Sequence, residues 1–348
     1  MKPRKLTASV AVLGLTAAAL SGCANILDPT AEGSLTIYSN SISDGRGDWL
    51  VEQAKEAGFN LNLVDIGAGD VYNKLVAEKE NPVADVFFGL NDIYGHNLSA
   101  QGILEDYTPA WADEVDTAGA GDAKSYWPIV REPIMLVCNT AVYPTAEDMP
   151  QDWQDLWTNP KFDGRYEFNG SLGGGTTQLV IAGIISRFPD PNGKLGISDK
   201  GWDAIKAYYE HGSRQVDGTD LYARISQGEV DCGQMWLAGK VKREEQFGVK
   251  TEAARPAIGV PMVHQFLGII KGSKKTQKAQ EFIDWFGSSE MQGKWSKEFA
   301  TAPMNMKAEG DASVIEYTDS FKAQEMDWSF IAENLSSWIE EIELKYVK

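Results

Sequence analysis

The sequence predicts an α/β protein with a largely parallel sheet, and three observations carry that expectation. Strand-length apolar runs alternate with helical periodicity, the first three strands exit into small polar residues, and two longer extended runs are placed to cross between halves. LTIY at residues 35–38 reads as the first strand, broken by the polar run 39–47. A helix follows over 48–57, with Leu50, Val51 and Ala54 on one face. Residues 61–66 form the second strand, ended by Gly67-Ala68-Gly69-Asp70, and the next helix covers 71–79. The third strand, 84–88, ends at Gly89-Leu90-Asn91-Asp92.

YWPIVREPIMLVCNT, residues 126–140, is the first candidate crossing, and residues 257–270 are the second. Between them lie a Trp-rich patch at 153–157, a brief strand at 166–168, a Gly-rich stretch at 170–177, helical patterns at 178–187 and 200–211, and a strand at 230–236. Helices are expected at 276–286, 291–299 and 327–345, the last with a stripe of Trp328, Ile331, Leu335, Trp338, Ile339 and Ile342. Open α/β sheets bind ligands beyond the carboxyl ends of their strands. The exits at 39–41, 67–70 and 89–92 therefore form one candidate binding edge.

Lys2, Arg4 and Lys5 precede an apolar run over 6–20, which is shorter than the ~20 residues of a membrane span. Residues 1–22 read as a secretory signal, and Leu20-Ser21-Gly22-Cys23 resembles the lipobox of bacterial lipoproteins, with Cys23 taking the lipid. An ordinary cleaved signal with a chance cysteine is the alternative. The three leader cations take the net charge from −18 for the 348-residue chain to −21 without the leader. Such acidity gives no electrostatic reason to bind nucleic acid or an anionic bilayer. Cys138 and Cys232 each lie in an apolar run, and a disulfide and two separate buried thiols are both open.

The segment 170–177, GSLGGGTT between a strand and a helix, carries the most chemistry. Consecutive backbone N–H groups beside a helix start make an anion site. A flexible turn with Thr176 or Thr177 as helix cap is the competing expectation. Thr176 stands where a phosphate-binding P-loop needs lysine, so nucleotide hydrolysis is not expected. The G-x-G at 67–69 has Tyr72 in place of a third glycine, which removes a dinucleotide site. His96, His211 and His264 fit neither metalloprotease nor serine-hydrolase spacing, so catalysis, metal and cofactor find no support. His264 lies mid-crossing beside Gln265 and is a candidate to face a ligand, as is Trp236 at a strand end.

Taken together, LTIYSNS, GAGD, ADVFFGLND, PIMLVCNT, DWQDLW, SQGEVDCGQMW, AQEFIDWFGSSEMQ and APMN resemble family 1 extracellular solute-binding proteins of ABC importers. The nearer resemblance is to the ferric-iron, thiamine, 2-aminoethylphosphonate and hexose-phosphate group. It implies a type 2 periplasmic-binding-protein fold, two α/β lobes joined by crossing hinge strands. It places a tether at 23–33, lobe 1 at 34–130, lobe 2 at 131–257, a return to lobe 1 at 258–300 and a C-terminal helical segment at 301–348. It also implies a monomer that delivers a small molecule to a permease and its ATPase. Ser39, Asn40, Ser41, Gly69, Asp70 and Asn91 would contact the ligand from lobe 1, and Gly174, Gly175, Thr176, Trp236 and His264 from the other side. Iron-binding members place adjacent tyrosines where this chain has Trp236-Leu237-Ala238-Gly239-Lys240, so an anionic organic ligand is expected, with iron the alternative and a surface-anchored hydrolase the more remote one. Asp70 would then meet an amine or hydroxyls, with Arg46 assisting the anion.

Overall fold

The computed structural model describes residues 33–115 and 124–347, and the leader and Cys23 lie outside them. Leu35–Ser39 runs parallel to Leu61–Asp65 on one side and to Val86–Leu90 on the other. Helices cover both faces, which is why the two inner strands read as unbroken apolar runs. On one face Leu35, Ile37 and Phe88 pack with Leu50, Phe282 and Trp295. On the opposite face Tyr38, Phe87 and Leu90 pack with Val71, Leu75 and Leu98.

The run read as a crossing is a single strand, Tyr126–Asn139, of an eight-stranded sheet. Its first part pairs antiparallel with Met262–Ile269, from Tyr126↔Gly268 to Pro133↔Met262. Its second part pairs antiparallel with Cys232–Trp236, from Ile134↔Trp236 to Cys138↔Cys232, and then with Thr251–Ala253. Proline cannot donate to a ladder, and Pro133 sits where the strand changes partners. The expected crossing strands are thus present, but they pair antiparallel with their neighbours, so the large sheet is mixed and not largely parallel as expected. The second half continues through Tyr166, which bridges Cys232, to Glu167–Phe168 and Ser213–Arg214. Its core includes Trp153, Tyr166, Tyr208, Ile181 and Trp338.

The last helix, Trp328–Lys345, starts at Asp327, whose carboxylate accepts from Phe330 N–H at 3.0 Å. Ile331, Leu335, Trp338 and Ile342 of the expected stripe are buried. This helix touches both halves: Asn97 Nδ2 donates to the Ala332 carbonyl at 3.2 Å, and Trp338 Nε1 donates to the Leu195 carbonyl at 3.0 Å.

Two helices begin earlier than their periodicity suggests, at Ala68 and Gly175, because Gly67 and Gly174 are their caps. Small residues that read as loop are first turns. Helices Asp92–Ala100, Leu221–Ser226 and Leu237–Phe247 were not anticipated, and Ala312–Asp319 falls within the expected C-terminal helical segment. In Leu237–Phe247 only the first-turn residues Leu237, Ala238 and Gly239 are buried, so no apolar stripe marks it. The open question about the cysteines is resolved, because Cys138 and Cys232 form a disulfide between directly paired residues.

Candidate functional site

A cavity of about 460 Å³ lies where strand exits of the first half meet helix starts of the second. Asn40, Ser41, Arg46 and Asn91 enter it from the first half, and Gly174, Gly175, Thr176 and Trp236 from the second. Glu132 and Gln265 reach it from the two crossing strands. A second cavity of about 430 Å³ adjoins it, lined by Asp70, Tyr72, Asn97, Ser171 and the C-terminal helix at Leu335 and Ser336. Gly67 and Gly174 border both.

Seven of the eleven anticipated ligand residues therefore share one space: Asn40, Ser41, Asn91, Gly174, Gly175, Thr176 and Trp236. Gly69 and Asp70 line the adjoining cavity instead. Ser39 and His264 line neither. Ser39 is 0% exposed, and its hydroxyl accepts from Ser41 N–H at 3.0 Å, which holds the loop. His264 turns to Asp92, with Nδ1 3.0 Å from Oδ1 and its backbone N–H donating to Oδ2 at 3.2 Å. Gly89 has φ of +96°, and a Cβ there would overlap the Ser41 hydroxyl and sit 3.1 Å from Asn40 Oδ1. The glycine is what lets the two exits close on each other.

Four helices start at the cavity wall, after Gly45, Gly67, Gly174 and Trp236, and none has a side-chain cap. At the start after Gly45 the Arg46 and Gly47 N–H groups already donate to the Ser43 and Ile42 carbonyls, and after Trp236 the Ala238 N–H donates to Glu132. The starts after Gly67 and Gly174 keep N–H groups and a dipole that favour negative charge. The expectation of a Thr176 or Thr177 cap is not met, since Gly174 is the N-cap residue. Thr177 is buried, and its hydroxyl accepts from Asn169 Nδ2 at 3.0 Å and from Gln234 Nε2 at 2.8 Å. Thr176 is left to line the cavity. No positive φ occurs at Gly173, Gly174 or Gly175, and a Cβ on Gly175 would meet Ala68 Cβ at an ordinary 3.8 Å. Their smallness serves the space above the helix start and not a backbone turn.

Two charged groups complete the site. Arg46 is 9% exposed, with its guanidinium over the Phe299 ring at 5.7 Å from the centroid. Its side chain makes no hydrogen bond or ion pair with any described residue. Glu132 is 2% exposed and accepts from Ala238 N–H at 3.2 Å and from Gln265 Nε2 at 2.8 Å. Burial pushes its carboxyl above the ordinary range, while Arg46 and the two donors pull it back. Glu132 and Gln265 were missed by sequence reasoning. A carboxylate inside the apolar run VREPIML was the available signal for the first. For Gln265 no signal in the sequence sufficed, since alternation sets it opposite His264 without saying which of the two faces meets the cavity.

The halves also touch on both sides of the opening. Lys242 Nζ donates to the Asp44 carbonyl at 2.9 Å, and Tyr94 Oη donates to Gln178 Oε1 at 2.6 Å. Burial pushes the Tyr94 phenol up to about 12, so it stays a neutral donor.

Two α/β halves on shared crossing strands, with a polar cavity at the strand exits, make the fold of a type 2 periplasmic-binding protein. Residues 49–323 match the family model for bacterial extracellular solute-binding proteins, and the chain belongs to that family. It is 31% identical over 325 residues to a probable ABC transporter periplasmic-binding protein, y4fP, of Sinorhizobium fredii, covering 91% of this chain and 87% of that one. It is 26% identical over 280 residues to a putative 2-aminoethylphosphonate-binding periplasmic protein of Salmonella typhimurium, covering 77% of each. The fold matches the periplasmic binding protein AfuA from Actinobacillus pleuropneumoniae, solved with fructose-6-phosphate, at a TM-score of 0.74 and 22% identity over 90% of this chain and 100% of that one.

Proposed function

We propose that the protein is the solute-binding component of an ABC importer, tethered through Cys23, that captures a small organic anion bearing a phosphate, phosphonate or carboxylate. One observation carries the anion: a buried guanidinium, Arg46, with no hydrogen bond or ion pair to any described residue lines the cavity beside the helix starts after Gly67 and Gly174. Charge buried without compensation is costly, and an anionic ligand supplies the compensation. The names of the relatives support an importer role and a phosphorylated or phosphonate solute. This chain has Trp236-Leu237-Ala238-Gly239-Lys240 where iron-binding members place adjacent tyrosines, which favours this reading over ferric iron.

In this reading the lobes, at 34–130 with 258–300 and at 131–257, close as a monomer over the ligand and present it to the permease. Asn40, Ser41, Asn91, Gly174, Gly175, Thr176 and Trp236 contact it, joined by Arg46, while Ser39 and His264 support the wall. Gly69 and Asp70 reach it only through the adjoining cavity. Titration calorimetry with phosphonates, sugar phosphates, carboxylates, thiamine and ferric salts tests the proposal. Binding of ferric ion without an organic anion would overturn it.

Two expected results follow from particular residues. Thr176→Ala removes a hydroxyl donor beside the helix start, and a charge-assisted hydrogen bond contributes about 1.5–3 kcal/mol, so affinity should fall roughly 10- to 150-fold. Apo stability should be kept, because Thr176 does not cap the helix. Retained affinity in the calorimeter would remove Thr176 from the ligand. Cys23→Ser should release the protein from the membrane fraction with binding intact, read by fractionation and immunoblotting. A variant that stayed with the membrane would place the anchor elsewhere.

A further inference from the structure

Trp236 enters the cavity from the second half, and its ring lies along one face of the helix Leu237–Phe247. Gly239 makes room for it, because a Cβ there would sit 2.5 Å from Trp236 Cε2. Arg243, one turn further along that face, puts its guanidinium over the ring at 4.9 Å from the centroid. The indole is thus held between a glycine and a cation of its own helix.

The same guanidinium faces two carboxylates. Asp220, of the second half, accepts from Arg243 Nε at 2.8 Å with one oxygen and from Tyr222 N–H at 2.8 Å with the other. Asp44, of the first half, brings Oδ2 to 3.9 Å from Arg243 Nη1. Lys242 joins from the neighbouring position, with Nζ 2.9 Å from the Asp44 carbonyl and 3.6 Å from Oδ1. Asp44 has φ of +60° and stands two residues before Arg46, the guanidinium of the anion site. Arg243 therefore touches the ligand wall of one half and the ligand loop of the other. Its side chain is 18% exposed and that of Asp44 34%, so water and salt screen the contact only in part. The contact on the other side of the opening, Tyr94 with Gln178, is neutral.

We infer that Arg243 is a positioning residue, which fixes the Trp236 ring at the cavity wall and clasps that wall to Asp44 where the two halves meet. This rests on the proposed ligand cavity and adds to it how a captured solute is retained. The clasp must break before the wall at Trp236 can leave the loop of Arg46. Its effect therefore falls on ligand escape, whereas a rim cation that only attracts anions acts on entry.

Stopped-flow binding of fructose 6-phosphate, ethylphosphonate and succinate, one probe for each acid class, tests this in the full protein. Asp44→Asn removes the charge, and asparagine tolerates the left-handed backbone at that position. For any probe that binds, koff should rise about three- to tenfold, the effect of losing a partly screened ion pair, with kon within about twofold of wild type. Added NaCl should speed release from wild type more than from Asp44→Asn. Arg243→Met should also raise koff, and in the ligand-free protein it should uncover the indole. The acrylamide quenching assigned to Trp236, as the difference from Trp236→Phe, should then rise about twofold. Arg243→Lys keeps a cation on the ring without the fork, so it should restore the quenching and not the slow release. An unchanged koff, or a change in kon alone, would make these cations a steering rim and overturn the clasp. Unchanged quenching in Arg243→Met would overturn the hold on the ring. If no probe binds, the anion reading falls separately, and the quenching comparison still decides the role of Arg243.

Discussion

Arg46→Met is expected to weaken capture of the anionic solute by about 2–5 kcal/mol, some 30-fold to several-thousand-fold. Methionine keeps the unbranched stem and removes the guanidinium that sits over the Phe299 ring, so the loss reports that group. The variant also exposes the coupling to Glu132. Burial holds that carboxyl above its ordinary value of 4.5, and Arg46 is first among the groups lowering it. A raised carboxyl binds its proton more tightly in the folded state than in the unfolded one. Its contribution to stability is full below the ordinary range and is lost as pH rises through the raised value. Without Arg46 the value rises further, so the variant should lose more stability than wild type between acid and neutral pH. Denaturation in the apo state across that range, beside calorimetry at neutral pH, reads both effects. Affinity within threefold of wild type would take Arg46 out of the ligand site.

The parts of this fold that sequence made legible are those whose burial is one-sided or complete. The strand Leu35–Ser39 is buried on both faces, and its apolar run announces that. The stripe of Trp328–Lys345 buries one face and keeps its period. The helix Leu237–Phe247 buries only its first turn, so nothing periodic marks it. The site divides in the same way. Residues at strand exits were found because exits are defined by the strands before them, and Asn40, Ser41 and Asn91 followed from that rule. Asp70 and Gly69 obey it too, but the helix beginning at Ala68 carries them past the neck at Gly67 into the adjoining space. Glu132 and Gln265 come from mid-strand, where only the pairing of two segments distant in sequence says which face meets the cavity. That information is tertiary, and so is the partner of His264, Asp92, at the start of a helix the periodicity did not reveal.

Removing the disulfide should give the largest change in stability. Cys138 and Cys232 are both buried and lie opposite each other in the ladder, a placement their separation of 94 residues does not announce. Closing a loop of that length removes unfolded-chain entropy equivalent to about 4–5 kcal/mol. The bond also fastens the strand that ends at Trp236 to the strand that carries Glu132 into the cavity. The ladder hydrogen bonds of Ile134–Cys138 with Cys232–Trp236 remain when the sulfurs are gone, so the site should keep its shape. The double variant Cys138→Ala with Cys232→Ala is therefore expected to lose several kcal/mol in denaturant unfolding, with ligand affinity within about twofold of wild type. Adding reductant to unfolded wild-type protein should raise its thiol count by two and leave the double variant unchanged. An unchanged midpoint, or two free thiols in unreduced wild type, would mean that the cysteines only pack. Lost affinity at retained stability would instead make the bond a brace for the ligand site, holding Trp236 in place rather than holding the chain together.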